Sequence, residues 1–341
     1  MQIVQCGEQH RQDWNAFVRS SPRASLYHRY EWRDVNQQAF GYRSAYLAAV
    51  ADDRVVGIFP FVQVKSSLFG NIACSLPFVN FGGPCGESPD IERALVEAAS
   101  PIVREWRSDY LEIRTPHQVQ GLPTSEHKVS MTLDLESDSE VLWKNFKTGH
   151  RQDIRAAYKK GLTAKVGRAE LIDDFYAVLS ESWRDLGTPI YSRQFLDIIA
   201  RAFPEEIRVT VVYAGDEPAA TAFDLVSGEH AEGLWLGSRG QFRKQNAGYV
   251  LYWELIKDAC ERGVKTFHLG RSTVQSGGET FKKKWNAYQT QLFWQYVMRD
   301  DRPLPQLNVD NPKYRYAIKA WQQLPVSLTQ MIGPFIARSI P

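Results

Sequence analysis

The chain has 341 residues, and its 41 Lys and Arg against 39 Asp and Glu leave a formal net charge of +2. That balance excludes a global basic field of the kind used in non-specific nucleic-acid binding, so any anion site has to be local. The length predicts about two domains. The four cysteines and seven histidines show neither paired-thiol nor metal-ligand spacing. We therefore predict no disulfide scaffold and no metal site.

Residues 1–135 are predicted to form a first, mixed α/β domain. Apolar runs rich in Val, Ile and Phe indicate strands, and one segment has the period of an amphipathic helix. In chain order these are a strand pair about an Asp-Asp turn (42–65), a helix (91–106) and two further strands (109–114 and 128–135). The start of the chain lacks the charged-then-apolar pattern of a signal peptide, so we expect a cytoplasmic protein.

Residues 136–300 repeat this alternation and are predicted to form a second domain, followed by a tail at 301–341. Glycines at the ends of the periodic segments indicate where helices stop. The predicted elements are helices at 139–161 and 171–187, a hairpin at 208–228, a strand at 231–238, a helix at 248–263 and strands at 264–270 and 291–298. This order is typical of one compact α/β unit.

The stretch LGRSTVQSGGETFKKKWN, residues 269–286, concentrates positive charge behind a Gly-rich bend. Ser276 and Glu279 have the spacing of a capping box, which predicts that a helix begins there. At about 100° per residue, Phe281 and Trp285 share the face that anchors this helix. Lys282 then lies on a flank, where it either remains a solvated basic helix end or reaches into a cleft and stabilises an oxygen that becomes negative.

Arg271 and Ser272 stand at the end of the strand that precedes this bend. In α/β sheets the ends of such strands are where ligand-binding groups commonly converge. We therefore include Arg271 with Lys282 as candidate catalytic residues, and Ser272 as a candidate for substrate binding.

The runs LYWELIKDACERGVKTFHLGRS and GGETFKKKWN resemble the C-terminal part of the FemAB-type peptidyltransferases. The resemblance is closer still to the FemAB-related proteins associated with exosortase and PEP-CTERM systems. Further pieces match in order, namely LPFVNFGGP, RQDIRAAYKKG and LGTPIYSRQF, so the likeness extends over residues 30–296. It implies an α/β (α+β) chain of two tandem GNAT-like domains, which have the acyl-CoA N-acyltransferase-like fold, with a cleft between them.

Members of that family move an amino acid from aminoacyl-tRNA onto an amine of a peptidoglycan precursor. The resemblance implies that Phe281 and Lys282 lie at the acyl-transfer site and that the lysine stabilises charge on the acyl oxygen. It also implies no tightly bound cofactor, the acyl donor being a co-substrate, either aminoacyl-tRNA or acyl-CoA. The helical hairpin that contacts tRNA in some members has no counterpart here, which leaves the donor open.

Acetyltransferases of the GNAT class hold the CoA pyrophosphate on a loop of pattern [QR]-x-x-G-x-[GA] before a helix. The segment from Arg243 to Gly248 stands at the corresponding place, with Asn246 where the first glycine is expected. Two interpretations stay open: an ordinary helix entry, or a cofactor-binding loop formed by Arg243, Asn246 and Gly248.

Five cations recur three or four residues apart along the predicted helix at 139–161: Lys144, Lys147, Arg151, Arg155 and Lys159. They form either a solvated face or a stripe that contacts the phosphates of tRNA or of a nucleotide-linked or lipid-linked substrate. Arg151 and Arg155 are the best candidates, because a guanidinium matches phosphate geometry.

Four further residues have both a structural and a substrate-binding interpretation. Gly82 and Gly83 follow a strand and indicate either an unusual turn or a close approach of substrate to the backbone. Trp235 and Tyr252 either pack in the core or line a cleft. The acids Asp224 and Glu254 are able to accept a proton from an attacking amine, but neither is assigned as the base.

The tail carries an apolar stripe formed by Leu328, Met331, Ile332, Phe335 and Ile336. The stripe predicts packing either against the body of the protein or on the inner face of a membrane, without crossing it. The sequence leaves the oligomeric state of the protein open.

We expect an N-acyltransferase that acts on an amine of a cell-envelope or exopolysaccharide precursor, small or lipid-linked. Two alternatives remain. One is a CoA-dependent N-acetyltransferase that uses the loop from Arg243 to Gly248, and the other is a non-catalytic module that binds a phosphorylated glycan carrier.

Overall fold

The computed structural model describes residues 1–66, 70–300, 304–305 and 312–340, with the side chains of 312–314 left out. The chain divides into two compact units. Unit 1 comprises Met1–Val129, Gln291–Gln306 and Arg338–Pro341, and unit 2 comprises Ser130–Thr290 and Leu307–Ala337. The division falls inside two strands, so the strand predicted at 291–298 belongs to unit 1 and not to the second domain.

Unit 1 is built on a mixed sheet with helices packed against it. Its helices are α1 (Arg11–Ser20), α2 (Glu31–Phe40) and α3 (Pro89–Glu105). Its strands are β1 (Gln2–Gln5), β2 (Arg43–Ala51), β3 (Arg54–Ser66), β4 (Gly70–Cys74), β5 (Cys85–Gly86), β6 (Tyr110–Thr115) and the first part of β7 (Thr124–Asp134). The strands run in the order β1-β2-β3-β4-β6, with β5 also paired to β3, and the strand at 291–298 lies beside β6.

Strand β3 explains why the first apolar run is continuous and not alternating. Its residues Phe59 and Phe61 pack in a cluster that includes Leu95 of α3. Its residue Ile58 points to the opposite side, where it packs in a cluster that includes Trp14 of α1. A strand covered on both faces buries every side chain, which removes the period-two pattern.

Gly82 and Gly83 lie in unit 1, where their small size serves close packing. Both amides donate to the carbonyl of Arg114, at 3.1 and 3.0 Å. A Cβ on Gly83 would lie 2.4 Å from Cγ2 of Thr115, so no larger residue fits without a shift. The carbonyl of Gly83 also lies 3.0 Å from Nε2 of the buried His28. The backbone that approaches these glycines is therefore the chain's own.

Unit 2 contains the helices α4 (Ser139–Asn145), α5 (Thr148–Lys159), α6 (Ile172–Leu186), α7 (Arg193–Ala202), α8 (Ala247–Glu261), α9 (Gly277–Lys283), α10 (Pro312–Gln322) and α11 (Val326–Ala337). Its strands are β8 (Leu162–Gly167), β9 (Ile207–Ala214), β10 (Glu217–Ser227), β11 (His230–Ser238) and β12 (Thr266–Thr273), with parts of β7 and β13 (Tyr288–Met298). The strand order is β7-β12-β11-β10-β9-β8. Strands β11 and β12 are parallel and are joined through α8, while β8 to β11 are antiparallel neighbours.

The single helix predicted at 139–161 was wrong, because the chain forms the separate helices α4 and α5. Phe146 and Lys147 between them take extended ψ values of 145° and 143°. This turn places the ring of Phe146 edge-on to Trp285 and Trp253, at 5.6 and 6.0 Å. Burying an aromatic ring outweighs the helix propensity of the short link. Lys144 and Lys147 therefore do not continue the stripe of α5, which keeps Arg151, Arg155 and Lys159.

The tail packs on α6 through a face different from the predicted apolar stripe. The buried residues of α11 are Thr329, Gly333 and Ala337, which recur every four residues. A Cβ on Gly333 would lie 3.0 Å from backbone atoms of Ile190, so the helix approaches closely there. The side chain of Gln330 donates to the hydroxyl of Ser180 at 3.1 Å.

The predicted apolar stripe of α11 is only partly covered. Leu328, Ile332 and Ile336 are half-buried, whereas Met331 and Phe335 are 62% and 69% exposed. No helix within the described residues is long and apolar enough to span a bilayer.

All four cysteines are buried and unpaired. Burial raises the pKa of each thiol, to about 11 for Cys6, Cys85 and Cys260 and to about 12 for Cys74.

Candidate active site

A cavity of about 400 Å³ opens in unit 2 where the parallel strands β11 and β12 separate. The two strands pair only over His230–Glu232 and Thr266–His268. Beyond this point the register of β11 with β10 slips by one residue at Leu234, which forms a bulge. Bulges end regular pairing and redirect side chains. Residues of both separated strands line the cavity, among them the predicted Trp235, Arg271 and Ser272.

Helix α9 places Lys282 in this cavity. Its N-terminus forms where predicted, since the hydroxyl of Ser276 accepts from the amide of Glu279 at 3.3 Å. Lys282 is 6% exposed, and its ammonium donates to the carbonyls of Gly270 and Arg271 at 2.9 and 3.2 Å. Burial, and secondly the charge of Arg271, lower the pKa of Lys282 from 10.5 to about 7. The next residue, Lys283, stays exposed and pairs with Glu279 at 2.5 Å.

An aromatic cluster fixes the orientation of α9. The ring of Trp285 is fully buried and stacks on Tyr252 of α8, with the centroids 5.6 Å apart at 18°. Phe281 meets Tyr252 and Tyr249 edge-on, at 5.1 and 5.2 Å. Tyr252 itself lines the cavity. The rings predicted to anchor the helix thus hold one wall of the cavity, and Phe281 lies behind Tyr252.

Two glycines shape the cavity between Lys282 and the opposite wall. Gly270 has a φ of +81°, a region that side chains rarely adopt, and a Cβ there would lie 3.0 Å from the carbonyl oxygen of Gly233. The same Cβ would lie 3.8 Å from Nζ of Lys282. A larger residue at position 270 would therefore strain the backbone and crowd the ammonium.

Asp224 of β10, one of the two acids that the sequence offers as proton acceptors, forms part of the cavity wall. It is 4% exposed, and its Oδ2 has no hydrogen-bond partner within the described residues. Burial, and secondly the charge of Asp258, raise the pKa of Asp224 well above its usual value. The available sequence signal was one acid inside the apolar run ATAFDLV. The hydroxyl of Ser272 is likewise buried without a partner in that same described set.

The predicted cofactor loop precedes α8. Residues Gly240–Gln245 form a 3-10 helix, and Asn246 has a φ of 63° with no side-chain cap on the first turn of α8. Lys160 donates to the carbonyl of Lys244 at 2.6 Å, which brings the basic end of α5 to this loop. Gly248 faces Phe281, whose ring would lie 3.9 Å from a Cβ there. Cations beside a helix N-terminus that no side chain caps are suited to an anionic group.

The structure does not bring every predicted residue to the cavity. Neither Arg151 nor Arg155 lines the cavity. Arg151 donates to the hydroxyl of Thr148 at 3.4 Å, and the guanidinium carbon of Arg155 lies 5.3 Å from the ring centroid of Trp143. Glu254 is hydrogen-bonded by the hydroxyl of Tyr158. Arg243, Asn246, Gly82 and Gly83 also lie outside the lining. Over the described parts of the chain, no group of His, Cys, Asp and Glu is arranged to hold a metal ion.

The central part of unit 2 is similar to a GNAT domain. Residues 148–283 match the family described as acetyltransferase (GNAT) domain, and this range covers α5 to α9 with the separating strands. The mixed α/β class predicted from the sequence is confirmed. No curated protein matches the chain.

Solved structures of the same fold extend over nearly the whole chain. FemX is similar with a TM-score of 0.65 at 15% identity, over 86% of this chain and 97% of FemX. A tandem GNAT protein from the clavulanic acid biosynthesis pathway has a TM-score of 0.55 at 11% identity, over 89% and 99%. L-PGS from Bacillus licheniformis has a TM-score of 0.54 at 12% identity, over 92% and 97%. These likenesses establish the fold.

We predict that Lys282→Met changes how stability depends on pH. The pKa of Lys282 is about 7 in the folded chain, below its ordinary 10.5, so between these values the unfolded chain binds more protons. The free energy of unfolding contributed by this group therefore rises with pH in that window, by about 1.4 kcal/mol per pH unit. Urea unfolding at pH 7 and pH 9 should show the wild type gaining about 2 kcal/mol relative to Lys282→Met.

Lys283→Met is the matched control, because its ammonium is exposed one residue further along α9. It should follow the wild-type dependence on pH. Parallel stability curves for wild type and Lys282→Met would show that the ammonium is not buried as described.

Proposed function

We propose that the protein is an N-acyltransferase that joins an acyl or aminoacyl group to an amine of a cell-envelope or exopolysaccharide precursor. The observation that carries this proposal is the buried ammonium of Lys282 in the cavity between the separating strands. A lysine ammonium has three N–H donors, and that of Lys282 donates two of them to backbone carbonyls. The third N–H can donate to a ligand. A low-dielectric position strengthens that remaining interaction.

In this mechanism the acceptor amine attacks the carbonyl carbon of the donor, and the carbonyl electron pair moves to oxygen. The free N–H of Lys282 stabilises that oxyanion, while Arg271 adds positive charge at the same wall. The intermediate collapses by breaking the bond to the donor's thiol or ribose oxygen, which takes up a proton from the amine nitrogen. No covalent enzyme intermediate is needed.

The donor is best accommodated with its phosphates near the N-terminus of α8. That terminus is not capped by a side chain, and Arg243, Lys244 and Lys160 lie at it. This arrangement favours a phosphate-bearing donor, and it supports acyl-CoA as a second candidate beside aminoacyl-tRNA. Asn246 replaces the expected glycine without blocking the turn, since it adopts the left-handed conformation.

We predict that Lys282→Ala lowers the rate of acyl transfer by about 10²- to 10³-fold, the usual effect of removing one oxyanion donor. The assay is transfer of radiolabel from acetyl-CoA, longer acyl-CoA and aminoacyl-tRNA pools to amine acceptors. Lys283→Ala is the control and should retain wild-type activity. Equal rates for wild type and Lys282→Ala would contradict the mechanism and favour a non-catalytic binding module.

We propose that Arg151 and Arg155 contact phosphates of the donor or of a nucleotide-linked or lipid-linked acceptor. Both stand on the side of α5 whose C-terminal end reaches the loop before α8. The stacking of Arg155 over Trp143 leaves its guanidinium edge available to an anion.

We predict that the double variant Arg151→Ala, Arg155→Ala weakens binding of deacylated tRNA and flattens its salt dependence. Each lost phosphate contact should reduce the slope of log K against log salt by at most about 1. The measurement is fluorescence titration of labelled tRNA at several salt concentrations. Arg201→Ala, an exposed arginine of α7, should leave the slope unchanged, and an unchanged slope in the double variant would assign Arg151 and Arg155 to a solvated face.

We propose that the exposed part of the tail binds an anionic membrane surface, where a lipid-linked acceptor would be found. Met331 and Phe335 of α11 and Tyr316 of α10 are 62%, 69% and 75% exposed. Residues 312–341 contain four cations and no acid. Each cation near anionic lipid contributes about 1 kcal/mol, which together with two apolar side chains gives reversible attachment.

We predict that the wild type sediments with vesicles containing phosphatidylglycerol and not with pure phosphatidylcholine. Met331→Ser with Phe335→Ser should lose this binding and keep its melting temperature, because both side chains lie outside the buried face. Val141→Ser, at a partly exposed apolar site of α4, should bind as the wild type does. Failure of the wild type to sediment with either vesicle would refute the attachment.

A further inference from the structure

The carboxyl group of Asp224 lies in the cavity wall and has no role in the mechanism above. Its side chain is buried, and Oδ2 is without a hydrogen bond in the described part of the chain. A buried polar group without a partner is costly, and such groups are rare away from functional positions. The carboxyl group is therefore expected to meet its partner when a ligand enters.

The sheet fixes the direction in which Asp224 points. The preceding residue, Phe223, packs on Phe175 of α6, with the ring centroids 5.5 Å apart. Successive side chains of a strand alternate, so Asp224 points toward α8, where it influences the pKa of Tyr252. Both Asp224 and Tyr252 line the cavity.

Bare backbone lies between this carboxyl group and the ammonium of Lys282. A Cβ on Gly233 would lie 3.4 Å from Oδ1 of Asp224, and a Cβ on Gly270 would lie 3.8 Å from Nζ of Lys282. The Cβ of position 270 would also lie 3.0 Å from the carbonyl oxygen of Gly233. The two glycines therefore let the backbones of β11 and β12 approach closely here, and the cavity beside them is lined by both Asp224 and Lys282.

We propose that Asp224 binds the amino group of the acceptor substrate and takes up its proton. The inference rests on the proposed acyl transfer and names the base that the transfer needs. The acceptor arrives as an ammonium ion, and one proton passes to the carboxylate, which leaves a lone pair on nitrogen. That pair attacks the acyl carbon held by Lys282, and the second nitrogen proton leaves with the donor's thiol or ribose oxygen.

Burial supports this transfer because it brings the pKa of the Asp224 carboxyl group and the pKa of the bound amine closer together. It raises the pKa of Asp224 and disfavours a charged amine in the same cavity. The other groups that face Asp224 are Arg208, its cross-strand neighbour on β9, and Asp258 and Tyr252 on α8. Arg208 donates through Nη1 to the carbonyls of Glu205 and Ile207 at 2.8 and 2.6 Å, while its Nε lies 4.0 Å from Oδ2 of Asp258 and has no hydrogen-bond partner among the described residues.

The first test is binding of glycinamide, a small primary amine, and of its uncharged analogue N-acetylglycinamide, measured by NMR titration without any acyl donor. The wild type should bind glycinamide and not the analogue, and Asp224→Asn should bind it at least tenfold more weakly. Asp258→Asn is the matched control, because Asp258 pairs with Arg262 at 2.8 Å outside the cavity lining, and it should retain binding. Equal binding by wild type and Asp224→Asn, or none by either, would overturn the proposal.

The second test separates a substrate site from an internal ion pair. Asp224→Asn should keep or raise the melting temperature, because it removes a buried acid whose ionisation is unfavourable and whose Oδ2 has no hydrogen-bond partner among the described residues. A fall in melting temperature matched by Arg208→Gln, with glycinamide binding unchanged, would assign Asp224 to a pair with Arg208 and overturn the proposal.

The two proposals fail in different ways. Loss of glycinamide binding in Asp224→Asn, with no transfer from any donor, would support the amine site and refute the acyltransferase function. Transfer to alkylamines at the wild-type rate by Asp224→Asn would support the function and overturn the role of Asp224.

Discussion

The contact between the ammonium of Lys282 and the carbonyls of Gly270 and Arg271 is the constraint around which the site is arranged. Both carbonyls are available because β12 leaves its parallel neighbour at this point and Gly270 takes a positive φ. The ammonium reaches them because α9 begins at Ser276 and is fixed by the buried ring of Trp285. The separation of β12 from β11, the bend at Gly270 and the buried ring of Trp285 together position the side chain of Lys282.

The cavity holds two ionisable residues whose charged forms burial disfavours. The amine of Lys282 is poorly solvated, and Oδ2 of Asp224 has no hydrogen-bond partner in the part of the chain that the structure describes. Both positions would be better occupied by apolar groups if stability alone were at stake. Their opposite signs, on two sides of a glycine-lined space, match a reaction in which an oxygen gains negative charge while a nitrogen loses a proton.

Local patterns in the sequence predicted those features that depend on neighbours along the chain. The cap at Ser276 and the opposite exposures of Lys282 and Lys283 follow from helix geometry, and the structure has both. The break between α4 and α5 was missed because it depends on the burial of Phe146 against Trp253 and Trp285, which are distant in sequence.

Asp224 and the tail show the same limit. An isolated acid in an apolar strand does not reveal that β11 separates from β12 beside it. In α11 the apolar stripe suggested the packing face, yet Gly333 and Ala337 are buried because they allow a closer approach to the body than large side chains would. Tertiary contacts, which a single sequence does not display, decided both cases.

The buried cysteines make the folded chain resistant to alkylation. A thiol reacts as its thiolate, and burial both hides the sulfur and disfavours that form. Labelling by iodoacetamide must therefore wait for a local opening of the structure. Cys6, Cys74 and Cys85 lie in unit 1, and Cys260 lies in unit 2. The alkylation rate of each thiol therefore reports how often its own unit opens, so the two units can be followed separately in one sample.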